Sequence, residues 1–296
     1  MPTTAPQPSA LDAPRATAAS PLRGLWRISR PHNCLAAGLM PALGAHVAGG
    51  SPLALRVALA SAAIALTVAA CNAYNDLRDT AEDGRNAPWR PLASGDLSAR
   101  TARGFVATAS IAALLLAAPL GAPALAYVGA LLLPGLAYSR WLKSTVLVGN
   151  ALVGLLSGLT VPFGALVAGG PLESSLLAGA IVASHVFFRE ILKTAADGTG
   201  DAAAGVRTIA TAFGLGPTLA AARAAALLFV CVGLLPIARG ASTLYGAAIV
   251  TGVVMPTLAV LARLRGPDAP AHLAWSLAVT KALWFLALPP LALLRP

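Results

Sequence analysis

At 296 residues, 57% hydrophobic and only 11% charged, the chain is too apolar for a soluble domain and reads as one polytopic membrane unit. Its formal charge of +10 comes from arginines that lie mostly between apolar runs, where they set topology and meet anionic headgroups, so nucleic-acid binding is set aside. The three cysteines, Cys34, Cys71 and Cys231, are scattered through apolar segments with neither zinc nor disulfide spacing.

Residues 1–22, rich in Ala, Pro, Ser and Thr without apolar period, read as a disordered tail ahead of a single transmembrane domain over 23–296. No basic segment followed by an apolar core precedes Trp26, so no cleavable signal peptide is expected. Nine apolar stretches then follow, each long enough for a bilayer-spanning helix: 31–49, 53–78, 101–119, 122–140, 145–168, 172–196, 211–236, 241–264 and 271–294. Gly-Gly-Ser-Pro at 49–52, Pro119 to Pro123, Gly-Gly-Pro at 169–171 and Gly-Pro at 266–267 punctuate them. The expected fold is all-α. Basic residues concentrate in alternate connections, with Arg85, Arg90, Arg100 and Arg103 in one of them. By the positive-inside rule the N-terminus and that connection face the cytoplasm, and the C-terminus lies outside.

Seven of the eleven acidic residues fall in two short segments, each closing an apolar run. The first, C-N-A-Y-N-D-L-R-D-T-A-E-D, carries Asn75, Asp76, Asp79, Glu82 and Asp83. The second, R-E-I-L-K-T-A-A-D-G-T-G-D, carries Glu190, Lys193, Asp197 and Asp201. Carboxylates beside a bilayer are expensive without a compensating cation or a function. The four-residue spacings of Asp79 with Asp83 and of Asp197 with Asp201 put each pair on one helix face. Two such faces opposed would hold a hard divalent cation, with phosphate oxygens completing its shell. Asp79 to Asp197 and Asp83 to Asp201 share one interval, which hints at an internal repeat.

N-D-L-R-D-T-A-E-D resembles the first aspartate-rich motif of the UbiA-type intramembrane prenyltransferases, and D-G-T-G-D at 197–201 resembles the second. N-A-P-W-R-P-L-A-S-G at 86–95, with Arg90, and Y-S-R-W-L-K at 138–143, with Lys143, are similar to further elements of that family. The resemblance covers about residues 26–290. It implies about nine transmembrane helices around a central cavity, a cytosolic cap and a lateral opening to lipid. It also implies Mg²⁺-dependent prenyl transfer from a prenyl diphosphate, in the cell's inner (cytoplasmic) membrane with the site facing the cytoplasm. On this resemblance Asn75, Asp79, Asp83, Asp197 and Asp201 would hold the metal. Lys143 and Arg90 would meet the diphosphate, with Lys193 a second basic contact. The acceptor is expected to be aromatic or glycerol-phosphate-like. S-R-P-H-N at 29–33 and R-E-I-L-K at 189–193 resemble the branch that includes archaeal digeranylgeranylglyceryl phosphate synthase, from which Thr194 and the run Thr208, Ile209, Ala210 depart.

Two other readings are compatible with the residues. A terpene cyclase would use the same scaffold, and an ion-coupled transporter would use paired acids at broken helices, placed near mid-membrane. His32 and Asn33 read as a helix-entry pair or an acceptor contact. His185 reads as an interhelical hydrogen bond or cavity lining, and Lys281 as a functional or a snorkelling lysine. Trp26, Trp141, Trp275 and Trp284 read as interfacial.

Overall fold

The computed structural model describes residues 20–266 and 268–295. The expected tail therefore lies largely outside the described residues. The helices are α1 (Pro21–Ser29), α2 (Pro31–Val47), α3 (Leu55–Asn86), α4 (Ala99–Ala117) and α5 (Ala122–Ala137). They continue as α6 (Val148–Ala168), α7 (Glu173–Ala203), α8 (Ile209–Phe213) and α9 (Leu215–Ala238). The chain closes with α10 (Thr243–Ile249), α11 (Met255–Arg263), α12 (Leu273–Leu286) and α13 (Leu288–Ala292). Among the described residues there is no strand. All nine expected spans have helical counterparts. Eight are long and apolar enough to cross a bilayer. The ninth, α2, has 17 residues, or about 25 Å of helix against a hydrocarbon core of about 30 Å. This is an integral, multi-pass membrane protein.

α3 and α7 are the longest elements, at 32 and 31 residues. The expected spans ended near residues 78 and 196, where charge begins. The helices instead run on through both acidic segments. Each is more than 45 Å long on the α-helical rise, so its last turns exceed the hydrocarbon thickness. The acids therefore sit on ordered helix ends, where side-chain direction is fixed. Arg85 Nη1 donates 2.6 Å to the carbonyl of Ala203, tying the two ends together.

Small residues let the central helices meet backbone to backbone. α2 crosses α6 at Gly44 and Gly164; a Cβ on Gly164 would stand 1.8 Å from the Pro41 carbonyl oxygen. α6 crosses α7 at Gly158 and Gly179 in the same manner. The packing has an internal echo. α2 packs on α3 as α6 packs on α7, and α3 packs on α4 as α7 packs on α9. The Arg85–Ala203 tie joins equivalent positions, 118 residues apart.

Candidate active site

Four local features aim side chains at the ends of α3 and α7. The first is the bend between α1 and α2. Arg30 has φ 53°, the one left-handed non-glycine among the described residues. Pro31 follows, and a residue before proline is pushed out of the α region. The bend costs of order 1–3 kcal/mol. It carries the Arg30 guanidinium to Asp76, with which it forms an ion pair. Asn72 Nδ2 donates 2.9 Å to the carbonyl of Ser29 and fastens the same bend to α3.

The second feature is the connection 87–98. Leu97 is buried with Ile28, Ala73 and Ala102. Arg27 Nη1 donates 2.9 Å to Asp96, and Arg27 also donates to the Trp89 carbonyl. Held this way, the connection turns Arg90 inward. The third is a π-helical turn over Tyr138–Leu142, a winding that recurs at functional positions. It brings Tyr138 to the cavity and Lys143 to the end of α3. The fourth is the short α8, whose Thr208 and Thr211 form a reciprocal cap. Ala210 packs against Gly198 of α7.

The acids meet these cations. Lys143 Nζ lies 2.7 Å from Asp79 Oδ2 and also bonds Glu82. Asn75 Nδ2 donates 2.9 Å to Asp79 Oδ2. Arg90 Nη1 reaches both Asp83 oxygens at 2.7 and 2.8 Å and lies 3.4 Å from Asp76. Asp76, Asp79, Asp83 and Asp201 are all buried; the first three are each matched by one of these cations, whereas Asp201 forms no ion pair among the described residues. Burial works against the charge on Lys143, yet Asp79 and Glu82 hold its pKa above the ordinary lysine value. Burial likewise opposes the Arg90 charge, and Asp83 and Asp76 outweigh it. Across the gap, Lys143, Glu82 and Asp79 act electrostatically on Asp201, as Asp197 does from the same helix. The ends of α3 and α7 that carry the two acidic segments thus lie side by side.

Beneath them lies a cavity of ≈ 280 Å³. Asn75 and Tyr138 form part of its polar rim. From Asn75 the lining runs back along α3 through Cys71 and Val68 to Ile64, about 16 Å of helix. Leu131, Val153 and Leu156 close its apolar walls. The arrangement is a charged rim over an apolar pocket, suited to a molecule with an anionic head and a hydrocarbon tail.

Oxygen donors from Asn75, Asp79, Asp83 and Asp201 suit a hard divalent cation. Among the described residues, no three carboxylate, His or Cys side chains converge closely enough to ligate one ion. Lys143 and Arg90 stand on the carboxylates instead. The donor set fits a cation that arrives with phosphate, since phosphate oxygens could take over Lys143 and Arg90 as the carboxylates turn to the metal.

The remaining residues distribute as follows. Asp197 is exposed beside the buried Asp201. Lys193 lies on the cavity wall, bonded to both oxygens of Glu190 at 3.0 and 3.1 Å. His185 is outside the main cavity, 4% exposed, its Nε2 2.9 Å from the Thr280 carbonyl oxygen; the interhelical reading is the one realised. Trp284 lines the cavity rather than the membrane interface, whereas Trp26 and Trp141 are exposed. Sequence reasoning gave no site role to Arg30, Asp76 or Arg189. R-E-I-L-K contained the signal for Arg189, a cation adjoining an acid inside an apolar run. The role of Arg30 depends on a bend that spacing does not encode.

The chain matches the model of the UbiA prenyltransferase family over residues 38–287. It belongs to that family. Digeranylgeranylglyceryl phosphate synthase of Halobacterium salinarum is 42% identical over 197 residues, covering 65% of this chain and 70% of the relative. The synthase of the same name from Haloquadratum walsbyi is 34% identical over 258 residues, covering 85% and 88%. A solved UbiA homologue from Archaeoglobus fulgidus, bound to GPP and Mg²⁺, superposes with a TM-score of 0.68 at 18% identity, covering 90% of this chain and 99% of that one. The chain is thus a prenyltransferase with the helical UbiA fold. Its acids stand at the ends of α3 and α7 rather than at mid-helix, which argues against an ion-coupled transporter.

Proposed function

We propose that this prenyltransferase moves a prenyl group from a prenyl diphosphate to a glycerol-phosphate-type lipid acceptor, with Mg²⁺ at the charged rim and the rim facing the cytoplasm. The observation that carries the reading is the cluster of Asp79 and Asp83 with Lys143 and Arg90, joined through the Asn75–Asp79 hydrogen bond to a pocket that Asn75 lines and that turns apolar along α3. Two further facts support it: the names of the curated relatives, and the GPP and Mg²⁺ bound by the Archaeoglobus fulgidus homologue.

Asn75, Asp79 and Asp83 from α3, and Asp197 and Asp201 from α7, would hold the metal. When bound, Mg²⁺ neutralises charge on the departing diphosphate. Lys143 and Arg90 exchange carboxylate partners for diphosphate oxygens and stabilise the charge that grows there as the allylic C1–O bond breaks. The bonding pair leaves with the diphosphate. The walls at Ile64, Leu131 and Leu156 keep water from the resulting allylic cation. The acceptor hydroxyl oxygen forms the new bond to C1, and its proton passes to the released diphosphate.

The test is incubation of purified protein and Mg²⁺ with prenyl diphosphates of increasing length, offered with prenylglyceryl phosphate and with phenolic acceptors, read by mass spectrometry. The expected product carries the donor's prenyl group as an ether on the glycerol. Asp79→Asn, Asp83→Asn, Asp197→Asn and Asp201→Asn should each lower turnover by at least about 10²-fold without loss of membrane insertion. A donor fluorinated next to the allylic cation should react far more slowly. Prenylation of phenols alone would overturn the acceptor assignment, and near-normal rates in the Asn variants would overturn the metal site.

A further inference from the structure

The charges on the far wall of the cavity are unbalanced. Most cations near the pocket are already neutralised. Arg30 is paired with Asp76, Lys143 with Asp79 and Glu82, and Lys193 with both oxygens of Glu190. Two are not. Arg189 of α7 has Glu190 as its one neighbouring carboxylate, at 3.5 Å, and that group is engaged by Lys193. Its Nε is buried without a hydrogen-bond partner among the described residues. Lys281 of α12 forms no ion pair or hydrogen bond among the described residues, although it sits in the otherwise apolar sequence L-A-W-S-L-A-V-T-K-A-L-W-F-L.

Both cations line the cavity, and both act electrostatically on the His32 ring, which lines it from α2. His32 and Lys281 are exposed, so they stand at a mouth between α2 and α12. The edges of that mouth are apolar. Phe285, 52% exposed, continues the lining one turn beyond Lys281, and Leu35 and Leu39 are exposed on α2. Arg189 precedes Asp197 by eight residues, about 12 Å along α7. The far wall is thus set back from the acidic rim, where the donor's diphosphate would bind, with Lys193 and Arg30 standing between the two.

We propose that Lys281, Arg189 and His32 form a site for the phosphomonoester headgroup of the acceptor amphiphile, entered from the lipid side and separate from the diphosphate site. This rests on the glycerol-phosphate reading above. A guanidinium fork, an ammonium and an imidazole lining one cavity suit a phosphate dianion, which accepts several charge-assisted hydrogen bonds at once. The buried Nε of Arg189 and the ammonium of Lys281, unpaired among the described residues and placed in an apolar helix at the cavity mouth, are costly beside a membrane unless a ligand supplies the counter-charge. The alkyl part of the acceptor would lie against Trp284, Phe285 and Met40, which line the same side. The site makes the enzyme selective for phosphorylated acceptors over neutral alcohols and phenols.

The test uses the full chain in phosphatidylcholine nanodiscs without donor. Equilibrium binding of a radiolabelled long-chain alkylglyceryl phosphate is compared with that of the uncharged alkylglycerol, with inorganic phosphate as competitor. The phosphorylated compound should bind at least about tenfold more tightly than the alkylglycerol, and inorganic phosphate should compete only weakly. Lys281→Gln and Arg189→Gln should each remove most of the preference, and Lys281→Arg should keep it. Affinity for a non-reactive prenyl thiolodiphosphate with Mg²⁺ should be unchanged in all three. Equal binding of the two alkyl compounds, or a preference that survives both Gln substitutions, overturns the site. Inorganic phosphate binding as tightly as the lipid overturns its assignment to an amphiphile, and donor affinity falling in parallel overturns its separateness. A protein that shows the preference but never joins donor to acceptor keeps this site and overturns the transfer reading.

Discussion

Lys143 bonds two carboxylates, and each would be left without its cation in Lys143→Ala. Loss of its charge should slow ionisation of the donor by about 10²-fold, the usual cost of removing one donor at a developing oxyanion. Because ionisation precedes acceptor attack, kcat should fall alike with every acceptor. A defect seen with one acceptor alone would move Lys143 to the acceptor side. The four-residue spacing of Asp79 with Asp83 was enough to place both on one face, and the structure keeps them there. Spacing could not say that Asp76, one turn before Asp79, faces Arg30. It could not say either that Asp197 would be exposed while Asp201 is buried. Those distinctions arise from the bend at Arg30 and from how α8 packs on α7, both products of tertiary contact.

Among the elements, hydropathy located every span but misjudged where α3 and α7 stop. A span ends for hydropathy when charge begins. A helix ends only when its backbone does, and no proline interrupts α3 before Pro88. The short α1 and α8 and the π-turn at Tyr138–Leu142 carry no periodic signal long enough to read. The close crossings do have sequence correlates in Gly44 and Gly164, although only the structure pairs them. Gly164→Ala should destabilise the protein by about 1–3 kcal/mol or more, because its Cβ would meet the Pro41 carbonyl and force α2 from α6. Gly104→Ala is the control. Gly104 lies in α4 with open space around its Cα, so the change should be neutral or stabilising by about 0.5–1 kcal/mol. Thermal unfolding midpoints in detergent would separate the two, and equal midpoints would mean that α2 and α6 can slide apart without cost.

For the whole molecule, the count of crossings decides where the ends lie. If the 17-residue α2 spans the bilayer with the eight longer segments, the termini are on opposite sides. A cysteine replacing the exposed Arg100 should then react with an impermeant reagent from the cytoplasmic side only, and a reporter fused to the C-terminus should read as external. An N-terminal tag that reads on the side opposite position 100 would mean that α2 does not cross, since only α2 and α3 separate the two. The echo between α2–α3–α4 and α6–α7–α9 bears on a different matter. A duplicated frame ties its two halves to each other, since a change that suits one half must still fit the half that mirrors it. α12 follows after both halves are complete and has no mirror. It lies outside the mirrored helices, and it is also the helix that presents Lys281 and Trp284 to the pocket. Family members built on the same frame could thus come to accept different partners by rewriting this one helix, leaving the symmetrical machinery untouched.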